Sequence, residues 1–220
     1  MPEEGRETMK RLAIAGASAL GRQIEHHLLF ATEEFRVVGF FDDFAPQKGD
    51  VIGKMNQIAD AYAAGRFDCL LIGVGYKAME FRSALLSRIR GRIPLASLVS
   101  RNAVVDPTAE ISEGAVILNG SLIDQDVKVG ANCFFSLGCS ISHETIIGEN
   151  TYCSPRATVC GRSQIGASCF LGANCTILGG LIVADHVTVG AGAVVTKSIS
   201  EAGVYIGCPA RKMFGPSDKN

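Results

Sequence analysis

Residues 147–180 read IGENTYCSPRATVCGRSQIGASCFLGANCTILGG, and the stretch repeats every six residues. Ile147, Cys153, Val159, Ile165, Leu171 and Ile177 open successive hexads. Small residues recur in fifth place (Ala157, Cys169, Cys175) and glycine in second place (Gly148, Gly166, Gly172). The same cut runs back to Val105 and forward to Val195, which makes sixteen hexads with no insertion, since 195 − 105 = 15 × 6. One large and one small inward position every six residues dictates short flat strands joined by tight corners. Three hexads close a triangular coil, so residues 18 apart stack. Such a coil buries nothing until its neighbours stack on it, which explains a long unbroken array.

The repeat resembles that of the hexapeptide-repeat acyltransferases, and the resemblance implies a left-handed parallel β-helix. The end of the chain fits as well. GVYIGCPARKM (203–213) is similar to that family's closing G-x-x-x-G-x-P-A-[KR] segment. In the family this segment borders the coenzyme, which implies acetyl-CoA contacts at Pro209 and Arg211.

Upstream of residue 100 the period changes. Apolar strand-like runs at 11–18, 36–43, 68–75 and 93–100 alternate with helical patterns at 20–31, 55–64 and 77–89. Alternating strands and helices predict a parallel sheet with right-handed crossovers. The expected organisation is therefore a loose tail (1–8), a small Rossmann-like domain (9–100), a β-helix (101–202) and a closing segment (203–220). The fold class is α/β followed by all-β.

Composition narrows the function classes. The 220 residues are 47% hydrophobic and carry a formal charge of −1. No basic excess exists to neutralise nucleic-acid phosphates. No apolar run is long enough to span a bilayer, and the polar start is not a secretory signal. None of the eight cysteines forms a C-x-x-C pair. They read as small apolar residues of a protein from a reducing cytoplasm, with no metal site expected.

One ionisable pair interrupts the bland repeat, His143–Glu144 in SISHETIIGE (140–149). The 18-residue stacking places Gly161, then Gly179, then Lys197 beneath His143, all third in their hexads. Glycines there serve either as turn residues needing positive φ or as the bare floor of a groove for a long, thin ligand. Lys197 would add positive charge lower down. Histidine titrates near neutrality and can act as a general base in acyl transfer from a thioester. Glu144 can orient the imidazole, and backbone N–H groups of the corner can hold the developing oxyanion. Of the other histidines, His26 and His27 fall on the first amphipathic helix. His186, fourth in its hexad, is at a different position from His143. Two array histidines at unlike corners argue against the zinc site of γ-class carbonic anhydrases.

In the first half, Gly16-Ala17-Ser18-Ala19-Leu20-Gly21 follows a strand and opens a helix, and Asp42, Asp43 and Gly75 end strands on the same sheet edge. Ligands of doubly wound sheets bind at that edge. A Rossmann-like domain followed by a hexapeptide β-helix resembles the bacterial nucleotide-sugar N-acetyltransferases that act on UDP-4-amino-sugars or GDP-perosamine, and their relatives among sialic acid O-acetyltransferase proteins. The resemblance implies N-acetylation of a nucleotide-linked amino-deoxysugar by acetyl-CoA, with His143 as base and Glu144 as its modulator. It implies nucleotide-sugar contacts at Gly16, Ser18, Ala19, Leu20, Asp42, Asp43, Gly75 and Tyr76. It implies coenzyme contacts at Tyr152, Gly161, Ala173, Gly179, Ala191 and Lys197, and a homotrimer. Relatives often read G-A-S/G-G-H-G where this chain reads GASALG, and the missing glycine and histidine bear on which sugar is presented. Tyr76, Lys77 and Arg82 are expected to compensate. Sugar O-acetylation, and a non-catalytic scaffold or nucleotide-sugar sensor, are the alternatives.

Overall fold

The computed structural model describes residues 9–213. The expected tail over 1–8, and residues 214–220 of the closing segment, lie outside the described residues. Two compact units are formed, one from residues up to 75 together with 87–96, the other from 76–86 together with 97 onward.

The first unit is a parallel sheet with helices. Strand β1 (Lys10–Ala15) pairs with β2 (Phe35–Phe41) on one side and β4 (Cys69–Ile72) on the other, and a short β3 (Val51–Gly53) flanks β2. The order β3-β2-β1-β4 is the first half of a Rossmann sheet. Leu12 to Ala15 of the central strand β1 are buried throughout, as expected of a parallel strand covered on both faces, and so are Cys69 to Ile72 of the terminal strand β4. Helix α1 (Ala19–Ala31) buries Gly21, Ile24 and Leu28. Strand β3 is absent from the sequence reading because three residues carry no readable period.

The stretch 93–100 is not the single strand the sequence suggests. Leu95 makes one isolated bridge to Leu70 in the first unit, whereas Leu98–Val99 pairs with Val116–Ile117 in the second. An apolar run alone does not say which sheet it joins.

The second unit is the parallel β-helix, left-handed as expected. Its hexads each give a two- or three-residue strand, and up to Val195 the strands pair in parallel at a spacing of 18, for example Ile123↔Ile141↔Val159↔Ile177↔Val195. Three stacked sheets of five, six and eight strands result, the last including the closing strands. The hexad-opening residues from Ile117 to Val195 fill the interior.

The fifth-place residues are small for a second reason as well. Ser121, Cys133, Cys139, Thr145, Thr151, Ser163 and Cys169 each donate a hydroxyl or thiol to the carbonyl oxygen fifteen residues on. The cysteines are thus buried hydrogen-bond donors of the right size. Burial pushes the Cys133, Cys139 and Cys175 thiols up to about 12, which leaves them unreactive.

The corners obey one backbone rule. The fourth residue of every hexad from Gly114 to Gly192 has positive φ. Glycine, asparagine or aspartate occupies most of these positions, but Glu144, Arg156, Arg162, Ser168 and His186 also adopt it, at φ 54–61°. A left-handed backbone costs such residues free energy.

The array ends earlier than the sixteen-hexad count implies. Val195 keeps its 18-residue pairing with Ile177, yet Ile199 bridges Val183 at a spacing of 199 − 183 = 16. The final hexad is therefore two residues short. The closing strand Gly203–Ile206 keeps the new spacing against Val187–Val189 and turns back on Arg211–Lys212.

Candidate active site

His143 and Glu144 form the two-residue turn of one corner, one residue after strand Ser140–Ile141. The main chain fixes the turn from both neighbouring coils. Glu144 N–H donates to the Gln125 carbonyl, and the His143 carbonyl accepts from Arg162 N–H, both at 2.9 Å. His143 N–H also donates to Asp124 Oδ2 at 3.2 Å. The side chains then close a short chain of bonds. Glu144 Oε2 lies 3.1 Å from His143 Nδ1 and accepts from Arg162 Nε at 2.8 Å. A carboxylate only accepts, so Nδ1 carries the proton and Nε2 is left as the acceptor nitrogen of the neutral ring. The Glu144 carboxyl is held below its ordinary range, first by the bond from Arg162 and then by that from His143.

Gly161 lies against the face of the imidazole. A Cβ built on it would stand 2.5 Å from Nε2, 2.7 Å from Cε1 and 2.9 Å from Cδ2 of His143. Gly179 follows one coil on, its virtual Cβ 3.1 Å from the Gly161 carbonyl oxygen. Positive φ is found at the next residue of each turn, Arg162 and Gly180, and not at Gly161 or Gly179. Glycine is needed at Gly161 for space. Lys197, the expected fourth member of the column, is exposed and lies between Val195, still in register with Ile177, and Ile199, where the spacing has fallen to 16.

The other expected coenzyme residues are dispersed. Ala173 and Ala191 are third in their hexads on a different corner, joined by Gly192 N–H donating to the Ala173 carbonyl. Pro209 and Arg211 are exposed on the closing hairpin. Tyr152 stands on a third element. It is 8% exposed and stacks between Phe134 (4.5 Å) and Phe170 (5.9 Å), its vertical neighbours on the eight-stranded sheet. Burial pushes its phenol up to about 12.

Residues 76–86 cover that aromatic column. Tyr76 stacks on Phe170 at 4.6 Å and remains 44% exposed. Arg82 is 1% exposed, donating to Asn150 Oδ1 at 3.3 Å and to the Asn132 carbonyl at 2.9 Å. Asn132, Asn150 and Ser168, stacked at one corner, join the same network. Arg82 is thus a buried anchor, and the expectation that it compensates at the sugar site is corrected. A shallow depression of about 380 Å³, lined by Val104, Leu122, Asp124, Ser140 and Ser142, ends one residue short of His143.

In the first unit, Gly16, Ser18, Ala19, Leu20, Asp42, Asp43 and Gly75 do fall at the carboxyl ends of β1, β2 and β4 or at the start of α1. Three glycines pack there almost without clearance. A Cβ on Gly21 would lie 1.9 Å from the Gly16 carbonyl oxygen, one on Gly16 2.8 Å from that of Gly73, and one on Gly73 2.8 Å from the Gly21 Cα. Ser18 caps α1 with its hydroxyl unused by the helix, whereas Gly75 borders open space. Asp42 is committed inward. Burial raises its carboxyl, but the N–H groups of Ala17, Ala45 and Phe44 at 2.8 Å outweigh that and hold it below the usual range. Asp43 is exposed and accepts from Met55 N–H at 2.9 Å.

Sequence reasoning missed Arg162, Asp124 and Gly73. The signal for Arg162 was available, since it lies 18 residues after Glu144 and must stack on it.

Among the described residues, no cluster of three or more His, Cys, Asp or Glu could hold a metal. No described helix is long and apolar enough to cross a membrane.

A Rossmann-like sheet followed by a left-handed hexapeptide β-helix defines the fold class. Residues 162–197 match the family described as bacterial transferase hexapeptide (six repeats). The acetyltransferase domain of PglB from Neisseria gonorrhoeae, solved with acetyl coenzyme A, is similar with a TM-score of 0.85 at 22% identity, covering 94% of this chain and 100% of that one. PerB from Caulobacter crescentus, solved with CoA and GDP-perosamine, is similar with a TM-score of 0.83 at 22% identity over 94% and 99%. WeeI from Acinetobacter baumannii is similar with a TM-score of 0.63 at 22% identity over 94% and 100%. A search of curated protein sequences found no match. The likeness extends over both parts of the fold.

Proposed function

We propose that this protein is an acetyl-CoA-dependent N-acetyltransferase that acetylates the amine of a nucleotide-linked amino-deoxysugar. The observation that carries the reading is the His143–Glu144 pair on a corner whose next two coils present bare glycine. It gains support from the shared fold, since PglB was solved with acetyl coenzyme A and PerB with CoA and GDP-perosamine.

In this reading His143 Nε2 takes a proton from the amine as its nitrogen attacks the thioester carbonyl. Backbone N–H groups of the corner stabilise the tetrahedral oxyanion. The C–S bond then breaks, and the proton held by His143 returns to the CoA thiolate. Glu144 keeps the ring oriented throughout. Gly161 leaves room for the imidazole, Gly179 keeps the next coil free of a side chain beside the pantetheine arm, and the loops after β1, β2 and β4 take the nucleotide. The residues around Ala173 and Ala191 lie on a different corner from His143. A coenzyme lying between two copies would touch Gly161 and Gly179 of one and Ala173 and Ala191 of the other. We therefore propose a homotrimer, whose ring closes such contacts symmetrically.

The test is acetyl transfer from acetyl-CoA to a panel of UDP-, GDP- and dTDP-linked amino-sugars, with the matching hydroxy-sugars as controls. Acetylation of an amine but not of the matching hydroxyl supports N-transfer. Acetylation of the hydroxyl alone overturns it.

A further inference from the structure

We infer that Arg162 is a positioning residue for His143, acting through Glu144. The inference rests on the reading of His143 as the base and adds a residue to it. Arg162 occupies the same corner position as Glu144 one coil on, and both take the left-handed backbone, at φ 61° and 57°. Stacking brings the side chains together, and one oxygen, Glu144 Oε2, accepts from Arg162 Nε while facing His143 Nδ1. The imidazole is thus fixed on two sides, by Gly161 against its face and by the carboxylate at Nδ1.

The carboxylate needs its second partner. Glu144 is 45% exposed, and an exposed glutamate with a single neutral partner is free to swing into water. Arg162 removes that freedom with a charge-assisted bond. The consequence reaches the ring. While Glu144 stays on Nδ1, the proton stays there and Nε2 remains a base. When Glu144 leaves, the neutral ring reverts to the tautomer histidine prefers in water, with the proton on Nε2 and no acceptor there. Three charged groups, Asp124, Glu144 and Arg162, hydrogen-bond at this turn. Asp124 binds the main-chain N–H of His143 and Arg162 N–H binds its carbonyl, whereas the Arg162 guanidinium reaches the ring through Glu144.

The informative variant is Arg162→Gly, because glycine suits φ 61° and keeps the main-chain N–H that donates to His143. Histidine ¹⁵N spectra of the ligand-free protein, above the pH where the ring is protonated, report the tautomer directly. In the unmodified protein His143 is expected as Nδ1–H. In Arg162→Gly that form should become the minority, and kcat for acetyl transfer should fall about tenfold with both KM values within about twofold. Arg162→Lys should restore much of both. An unchanged His143 tautomer in Arg162→Gly overturns the inference. The spectrum needs no substrate. A tautomer shift in a protein that acetylates nothing would therefore keep the clamp and remove the enzymatic reading.

Discussion

Gly161 and His143 are in contact across two successive coils, closely enough that a single methyl on Gly161 would stand 2.5 Å from the His143 Nε2. The same 18-residue register that stacks aliphatic side chains inside the solenoid stacks a bare backbone against an imidazole outside it.

Gly161→Ala should therefore damage function more than stability. The backbone at Gly161 is not left-handed, so alanine is tolerated by the main chain. Its Cβ must push the ring away, and a displacement of about 1 Å at a reacting group can cost about 10²-fold in rate. The expected result is an intact thermal transition with kcat reduced by about that factor. Unchanged kcat would show that the ring does not work where it stands.

The glycine packing in the first unit predicts the opposite outcome. Gly21→Ala places a Cβ 1.9 Å from the Gly16 carbonyl oxygen, against backbone that cannot yield as a side chain can. Overpacking of this kind costs about 1–3 kcal/mol. Denaturant unfolding should register the loss.

Arg82 tests the buried network of the second unit. Arg82→Met keeps the bulk but takes a donor from the Asn132 carbonyl, whereas Asn150 Oδ1 keeps its bond from Asn132 Nδ2. Each buried acceptor left unpaired costs about 1–3 kcal/mol. Equilibrium unfolding of the variant should show a loss in that range, and a neutral substitution would mean that water enters in its place.

The Glu144 carboxyl supplies a pH test. Its folded value is lowered, chiefly by Arg162, so the clamp is complete above the ordinary carboxylate range and is lost only as pH falls through the lowered value. A ¹³C titration of the Glu144 carboxyl should give a midpoint below the usual glutamate value. In Arg162→Gly that midpoint should rise toward it.

How much of this was legible in the sequence depends on whether a rule of period or of contact was needed. The hexads from Val105, the stacking of His143 on Gly161 and Gly179, and the sheet-edge position of Gly16 and Asp42 all follow from counting, and the structure has each. Counting failed at the end of the array. The two-residue shortening between Val195 and Ile199 leaves Ile199 aliphatic and the local pattern plausible, so counting alone does not show that the 18-residue spacing ends around Lys197. Contacts between elements distant in sequence were also invisible. Arg82 reads as a polar group for the sugar site until Asn132 and Asn150 are seen around it. Asp42 reads as a strand-end ligand until Ala17, Phe44 and Ala45 are seen to use its oxygens. Arg162 needed only the register already in hand, applied to Glu144 as well as to His143.

The central claim is tested most directly by His143→Ala assayed with acetyl-CoA and the nucleotide-linked amino-sugar that the unmodified protein acetylates fastest. His143 is part-exposed on a turn fixed by main-chain bonds, so the variant should fold and assemble as the parent does. The account predicts a kcat lower by about 10²–10⁴-fold. Acetylation at the parent rate by a correctly folded His143→Ala protein would contradict it.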